Sequence, residues 1–284
     1  MTPIRPPWEE RSPIRGSTSP AGERLRRAAP GVAAAAFWLV LWQLASVVVG
    51  QELLVPSPAV VAATLAGLAG TAEFWQVMGL SLLRMAAGFV AGVVAGTAAA
   101  VLTTRSRVVD ALLSPALRVV RAAPVASFVI LALVWIPTGR LPAFIAFAMV
   151  VPVVWDTMAQ GLRSQDPELL EMARVFGLGR WQTLRRVRIP SLAPFLLSAC
   201  TTGMGLAWKS GVAAEVISRP EVSIGRELQD ARVYLDTPAV FAWTITAVAL
   251  SLALERLFRL AARRWLPSVG APEESRGRGD HAGV

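Results

Sequence analysis

Cysteine and histidine are almost missing from this chain of 284 residues, which has one of each. Cys200 lies inside an apolar segment, so neither an intrachain disulfide framework nor a cysteine-based metal site can be assembled. His281 sits in a polar tail, which argues against histidine-dependent catalysis and multi-histidine metal sites. Lysine is reduced to Lys209, and charged residues make up only 17% of the chain against 54% hydrophobic. No HExxH or GxSxG pattern occurs, and the paired intramembrane acids or Ser-His pair of an intramembrane enzyme are not found. Gly203 to Ser210 reads GMGLAWKS, near the phosphate-loop pattern GxxxxGK[ST], but Trp208 stands at the required second glycine. That segment also lies in an apolar run and does not follow a strand, so nucleotide binding is not expected of this chain and no cofactor is assigned to it.

What the chain has in quantity is long apolar blocks, the pattern of a polytopic helical membrane protein and not of a soluble core. The formal net charge of +9 comes from arginines clustered at the ends of those blocks. With no aromatic-basic surface beside them, they are read as orientation signals and not as a nucleic-acid footprint. Residues 1–30 hold six prolines and six arginines and lack the apolar run of a signal peptide, so a disordered basic arm is expected. Spans are expected at Gly31–Gly50, Val77–Thr104, Ala122–Ile136, Leu141–Gln160, Leu192–Ile217 and Pro238–Leu257, with Pro152 placed to kink the fourth. A short interfacial helix from near Ser57 and an amphipathic helix on Ile224, Leu228, Ala231 and Leu235 fall in the loops 51–76 and 218–237. The transmembrane domain thus covers 31–265, and 266–284 reads as a disordered tail.

Lys and Arg number six in the N-terminal arm, then none, four, one, six and three in the five loops, and six from Arg256 in the last turn of the sixth span to the C-terminal end. Rich and poor segments alternate, as six spans with both termini in the cytoplasm require.

The segment from Asp166 to Pro190, DPELLEMARVFGLGRWQTLRRVRIP, is charged where its neighbours are apolar. Asp166 before Pro167 is a helix start, and Glu168 and Glu171 bring negative charge to the first turn. Leu169, Ala173 and Phe176 recur on one face, and Gly177-Leu178-Gly179 ends the helix. A second helix is expected from Arg180, carrying Trp181, Leu184 and Val187 on one side and Arg185, Arg186 and Arg188 on the other, and ending at Ile189-Pro190. Its position opposite anionic lipid headgroups is one reading of those arginines.

Glu171, Ala173, Gly177, Val187, Ile189 and Pro190 stand at the spacing of the EAA signature, and the segment resembles that motif in permease subunits of binding-protein-dependent ABC importers. Met172 replaces the second alanine, Val187 an isoleucine and Ile189 a leucine, all apolar exchanges. VPSP near residue 56, SLLRMAAGF from Ser81, RAAPVASF from Arg121 and GLAWKSGVAAEVI from Gly205 look like the nitrate, sulfonate and taurine branch. The resemblance covers roughly residues 50 to 260. It implies an all-α integral membrane protein of the type I importer permease fold, in the bacterial inner membrane, with a cytoplasmic coupling helix. It further implies a second permease copy, two cytoplasmic subunits that bind ATP and magnesium, and a solute-binding protein docking on the 51–76 and 218–237 loops. Glu171 would then make a polar contact with the ATPase, Ala173 would permit close approach, and Gly177 would form the turn.

Two further features stand inside the spans. Gly88, Gly92 and Gly96 form successive GxxxG steps on one helix face, suited either to packing within the chain or to a homodimer seam. Arg84, Lys209 and Glu215 are charges where hydrocarbon would penalise them by about 2.5–3.5 kcal/mol each. Either Arg84 and Lys209 line a pathway for anionic solutes, or the charges form structural ion pairs with Glu215 or Asp156.

Overall fold

A backbone crossing lipid must satisfy its hydrogen bonds within its own segment, and every regular element described is helical. The computed structural model describes residues 20–265. The chain divides into two compact units, Met1–Ala59 and Val60–Val284. In the first, α1 (Pro20–Val49) carries the apolar stretch Gly31–Val49. Residues 20–30, expected in the disordered arm, belong to this helix; residues 1–19 lie outside the described part, as does the tail 266–284. The turn after Gly50, whose φ is +62°, folds back on α1: Trp42 Nε1 donates to the Pro56 carbonyl at 3.1 Å and Ser46 Oγ to that of Val55 at 3.0 Å.

α2 (Pro58–Ala69), whose residues from Val60 belong to the second unit, is the short apolar helix expected near Ser57. α3 (Ala72–Arg105) begins at Thr71, whose hydroxyl accepts from the Phe74 N–H, and ends at Ser106, whose hydroxyl caps α4 (Arg107–Ala122). The 122–136 segment, expected as one span, is helical only at Ala122, the end of α4, and in α5 (Val125–Ala132), which meets α4 at 109°. Pro124 accounts for the break: it has no N–H to give and forces its predecessor Ala123 to extended angles. Eight residues rise only about 12 Å, less than half of a hydrocarbon core. The described chain therefore has five helices long and apolar enough to span, and a sixth crossing only if the bent pair α4–α5 counts as one.

α6 (Leu141–Arg163) is the centre of the second unit. Leu141, Ile145, Val150 and Val154 are fully buried along it. Phe89 and Ala100 of α3, with Ala199 and Ala207 of α9 (Ile189–Ser218), close on the half around Val150, Trp155 and Met158. Trp155 Nε1 meets its polar need on Thr103 Oγ1 at 3.0 Å. A second cluster joins Phe74, Val77 and Met85 of α3, Trp208 of α9, Ile224 of α10 (Ile224–Val233) and Trp243 of α11 (Thr237–Trp265). α7 (Pro167–Val175) and α8 (Arg180–Thr183) make up the polar excursion between α6 and α9.

The fit of α3 on α6 is set by the three glycines. A Cβ on Gly88 would lie 2.2 Å from the Ala143 carbonyl oxygen, on Gly92 2.8 Å from Val150, and on Gly96 2.8 Å from the Val151 carbonyl oxygen. The GxxxG face is thus occupied within the chain.

Candidate coupling segment and intramembrane charge network

Proline at the first position of α7 needs no hydrogen-bond partner, and Asp166 Oδ1 accepts from the next N–H, that of Glu168, at 2.8 Å. The helix closes on Gly177 at φ +67°, with the Leu178 N–H donating to the Ala173 carbonyl at 3.0 Å. That six-residue closure with a left-handed glycine is a Schellman ending. Glu171 is exposed, and with it Leu169, Met172, Val175 and Phe176 at 44%, 52%, 81% and 73% of their full accessibility. Ala173 is buried at 2%. Leu169, Ala173 and Phe176 therefore do not share one environment as their spacing suggests. Ala173 is packed against its own chain.

The second helix does not stop at Pro190. α8 runs into a single π-helical turn, Leu184–Arg188, and continues as α9. In that turn the Ile189 N–H reaches back to the Leu184 carbonyl. The wider turn shifts the hydrogen-bond register just where Pro190 offers no donor, so the proline is taken up as an early residue of α9 and does not terminate it. Val187 is half-buried and Ile189 and Pro190 are exposed on this continuous helix. Gln165 Nε2 donates to Ser191 Oγ at 3.2 Å and ties the two ends of the excursion together.

Toward the other end of α3 and α9, the charges come together. Glu215 is fully buried and accepts from Ser81 Oγ at 2.9 Å, from Arg84 Nη1 at 3.4 Å and from the Gly225 N–H at 3.4 Å. The same Arg84 nitrogen donates to the Val222 carbonyl at 2.7 Å, and Ser81 Oγ accepts from the Ile224 N–H at 3.1 Å. The carboxylate thus sits at the amino end of α10, where the helix dipole favours negative charge. Gly225 makes room for it: a Cβ there would lie 2.3 Å from the Glu215 carbonyl carbon and the Val216 nitrogen.

Arg84 and Glu215 are a structural ion pair, and Asp156 pairs instead with Arg121 at 2.7 Å. Lys209 joins neither. It is exposed on α9 and, among the described residues, has no ion-pair partner; it borders a cavity of about 310 Å³ with Thr201, Thr202, Gly205, Glu255 and Arg259. Outside the spans, burial pushes the Glu227 carboxyl of α10 above its usual range, with Glu73 and Asp230 adding to the shift and Arg226 opposing it.

Ser81, Val222, Ile224 and Gly225 are members of this network that the sequence did not connect with the charges. Ser81 stands three residues before Arg84 on the same helix face, a usable hint. The loop partners lie more than 130 residues further on, and no local pattern connects them.

Spanning helices packed on α6, a polar excursion with an exposed acidic and apolar helix, and a buried Arg84–Glu215 pair inside the bundle are the architecture of a multi-pass membrane protein. The chain belongs to the family of binding-protein-dependent transport system inner membrane components, whose model matches residues 88–267. A probable ABC transporter permease of Brucella melitensis is 33% identical, over 65% of this chain and 75% of that protein. The riboflavin transport system permease of Chloroflexus aurantiacus is 29% identical, over 80% of this chain and 86% of that protein. The taurine transport system permease of Escherichia coli is 28% identical, over 81% and 86%. With sulfonate and bicarbonate permeases also among the relatives, the chain matches the nitrate, sulfonate and taurine type. A bacterial ABC transporter for import of the acidic polysaccharide alginate shares the fold, with a TM-score of 0.55 at 14% identity over 87% of this chain and 99% of that one. The chain is therefore the permease component of a binding-protein-dependent ABC importer, an inner-membrane transport subunit and not itself an enzyme.

Proposed function

We propose that this permease forms, as a homodimer, the pathway for a small anionic solute of the nitrate, sulfonate or taurine kind, driven by two separate ATPase subunits. An extracytoplasmic binding protein delivers the solute to the 51–76 and 218–237 loops, and both termini lie in the cytoplasm. ATP and magnesium are held by the partner subunits. Coupling runs through α7: its exposed Glu171, with Leu169, Met172 and Val175 around it, fits a groove on the ATPase, and Gly177 sets the angle at which the helix is presented. Closure of the two ATPases then moves the α7 excursions as levers, and the spans alternate between inward- and outward-facing arrangements.

The observation that carries the solute class is Lys209. A free ammonium on a spanning helix is costly against lipid, so its face meets water or the second copy. Thr201, Gly205 and Lys209 follow at four-residue steps on α9, with Thr202 beside them, a polar stripe suited to a pathway wall. The taurine permease among its relatives fits the same class. Arg84 is not offered as a pathway residue, because its charge is spent on Glu215 and Val222. The test is uptake of taurine, a linear alkanesulfonate, bicarbonate and riboflavin by the assembled complex carrying Lys209→Gln. Anion uptake is expected to fall about tenfold or more, an ion-pair-sized effect of about 1.4 kcal/mol. Unchanged anion uptake in an intact complex, or transport of riboflavin alone, counts against the anionic solute.

A further inference from the structure

The exit of α3 and the entry to α9 share one end of the bundle, and the space between them is lined by both apolar and basic side chains. A cavity of about 710 Å³ opens there, and its walls include Arg105, Arg180 and Arg188 together with Leu178, Trp181 and Leu184. Arg105 is the last residue of α3, and Arg188 immediately precedes α9. Both guanidiniums therefore sit at the end of the bundle where the apolar stretches of α3 and α9 run out, the place of arginines that mark a membrane boundary. Among the described residues none of the three arginines forms an ion pair; the ion pairs involve Arg84, Arg121, Arg163, Arg219, Arg226 and Arg259 instead. No Asp or Glu occurs between Glu171 and Glu215, the stretch that holds Arg180 and Arg188, and Asp110, the acid nearest Arg105 in sequence, is engaged by Arg163 and Ser114.

We infer that this groove binds the phosphate of an anionic phospholipid from the adjoining leaflet, held by Arg105, Arg180 and Arg188. Guanidinium groups match phosphate oxygens in two-point geometry, and three of them around one cavity offer more donors than one phosphate has free lone-pair directions. The apolar side of the cavity suits the start of the acyl chains: Trp181 is 70% and Leu184 38% exposed beside the arginines. Tryptophan and arginine together are the side chains favoured at the membrane interface, and basic pockets between spans recognise acidic headgroups. An ATPase surface is the less suited occupant, because the exposed acidic face lies on α7 and not in this groove. The lipid would bridge α3 to the π-helical turn that links the coupling excursion to α9. Assigning the cytoplasmic leaflet rests on the orientation proposed above; the binding itself does not.

The test uses the intact importer complex in mixed micelles of phosphatidylglycerol and phosphatidylcholine in equal amounts, with co-purified lipid measured by mass spectrometry. Phosphatidylglycerol is expected to be enriched, and the triple change Arg105→Gln, Arg180→Gln, Arg188→Gln to cut the enrichment by at least about tenfold, given on the order of a few-fold per cationic side chain near the surface. Lysine at the same three positions is expected to restore part of it. Arg105→Gln alone, remote in sequence from the α7 excursion, gives a smaller loss of the same sign and guards against misfolding of the triple variant. Undiminished enrichment in both Gln variants overturns the site. Displacement of the lipid by millimolar inorganic phosphate assigns the groove to a free anion and overturns the lipid. Enrichment that appears only once the ATPase is stripped away assigns it to the protein interface, with the same consequence. Glu171→Arg, expected to detach the ATPase, should leave the enrichment at the wild-type level, so failure of the coupling reading and failure of this one are distinguishable.

Discussion

Arg84 and Glu215 meet at 3.4 Å around a carboxylate with no solvent exposure, and one guanidinium nitrogen also holds the Val222 carbonyl at 2.7 Å. Two spanning helices and the loop leading into α10 are thereby fastened through one buried charge.

Breaking that pair from one side is expected to cost more than removing it whole. Arg84→Leu leaves a buried carboxylate with Ser81 and one N–H for company and should destabilise the protein by about 3 kcal/mol. The double change Arg84→Leu, Glu215→Leu should recover much of the loss. Thermal unfolding of wild type, Arg84→Leu, Glu215→Leu and the double variant in one detergent measures it; a double variant as damaged as the sum of the singles would contradict the pairing.

Gly225 and Gly92 are expected to reject even alanine. At Gly225 the added Cβ meets backbone at 2.3 Å, which has no flexible end to yield, whereas at Gly92 it meets the Val150 side chain at 2.8 Å. Overpacking costs typically about 1–3 kcal/mol, with Gly225→Ala at or above the top of that range. Gly79→Ala, where nothing lies within 4 Å, should be neutral. The three melting temperatures should fall in that order.

Glu227 gives a pH dependence with a definite sign. Its carboxyl is raised above the usual value in the folded chain by burial first, then by Glu73 and Asp230. The protonated form is thus favoured by folding, so its contribution is fully present below about pH 4.3, the unfolded value, and is lost as pH rises through the higher folded value. Glu227→Gln should flatten the decline in stability over that window, raising the melting temperature at pH 7 and leaving it unchanged at pH 4. A larger gain at pH 4 than at pH 7 would contradict the direction.

Gly177 occupies a left-handed conformation that costs other residues about 1–2 kcal/mol. Gly177→Val should therefore release the Leu178 to Ala173 closure at the end of α7 while leaving the bundle folded. Proteolysis is expected to cut faster between Phe176 and Arg180 in this variant, with a melting temperature near wild type. Wild-type cleavage there would show that the turn does not depend on glycine.

How far the sequence revealed this structure depends on the range of the interaction. Hydropathy and the spacing of arginines marked α3, α6 and α9 to within about five residues and the start of α11, which runs on eight residues past the expected end at Leu257, because lipid forces apolar length and helical closure on any crossing segment. Asp166, Pro167 and Gly177 marked α7 for an equally local reason, the capping of a helix. Pro124 and Pro190 were harder. Each could end a helix or be absorbed by it, and the difference lay in a 109° bend at one and a π-helical turn at the other. The Arg84–Glu215 pair was foreseeable as one of several pairings, but its anchoring on Val222, Ile224 and Gly225 depends on how α10 returns to α9. The burial of Ala173 against its own chain was likewise invisible in the motif.

The most direct test of the account is co-purification of the soluble ATPase with the tagged full chain, wild type against Glu171→Arg. The altered charge sits on an exposed position of α7 and should leave the permease folded, so the account predicts that the ATPase is lost, along with uptake, from a chain of unchanged melting temperature. ATPase retained in full by Glu171→Arg, with uptake intact, would contradict coupling through this helix.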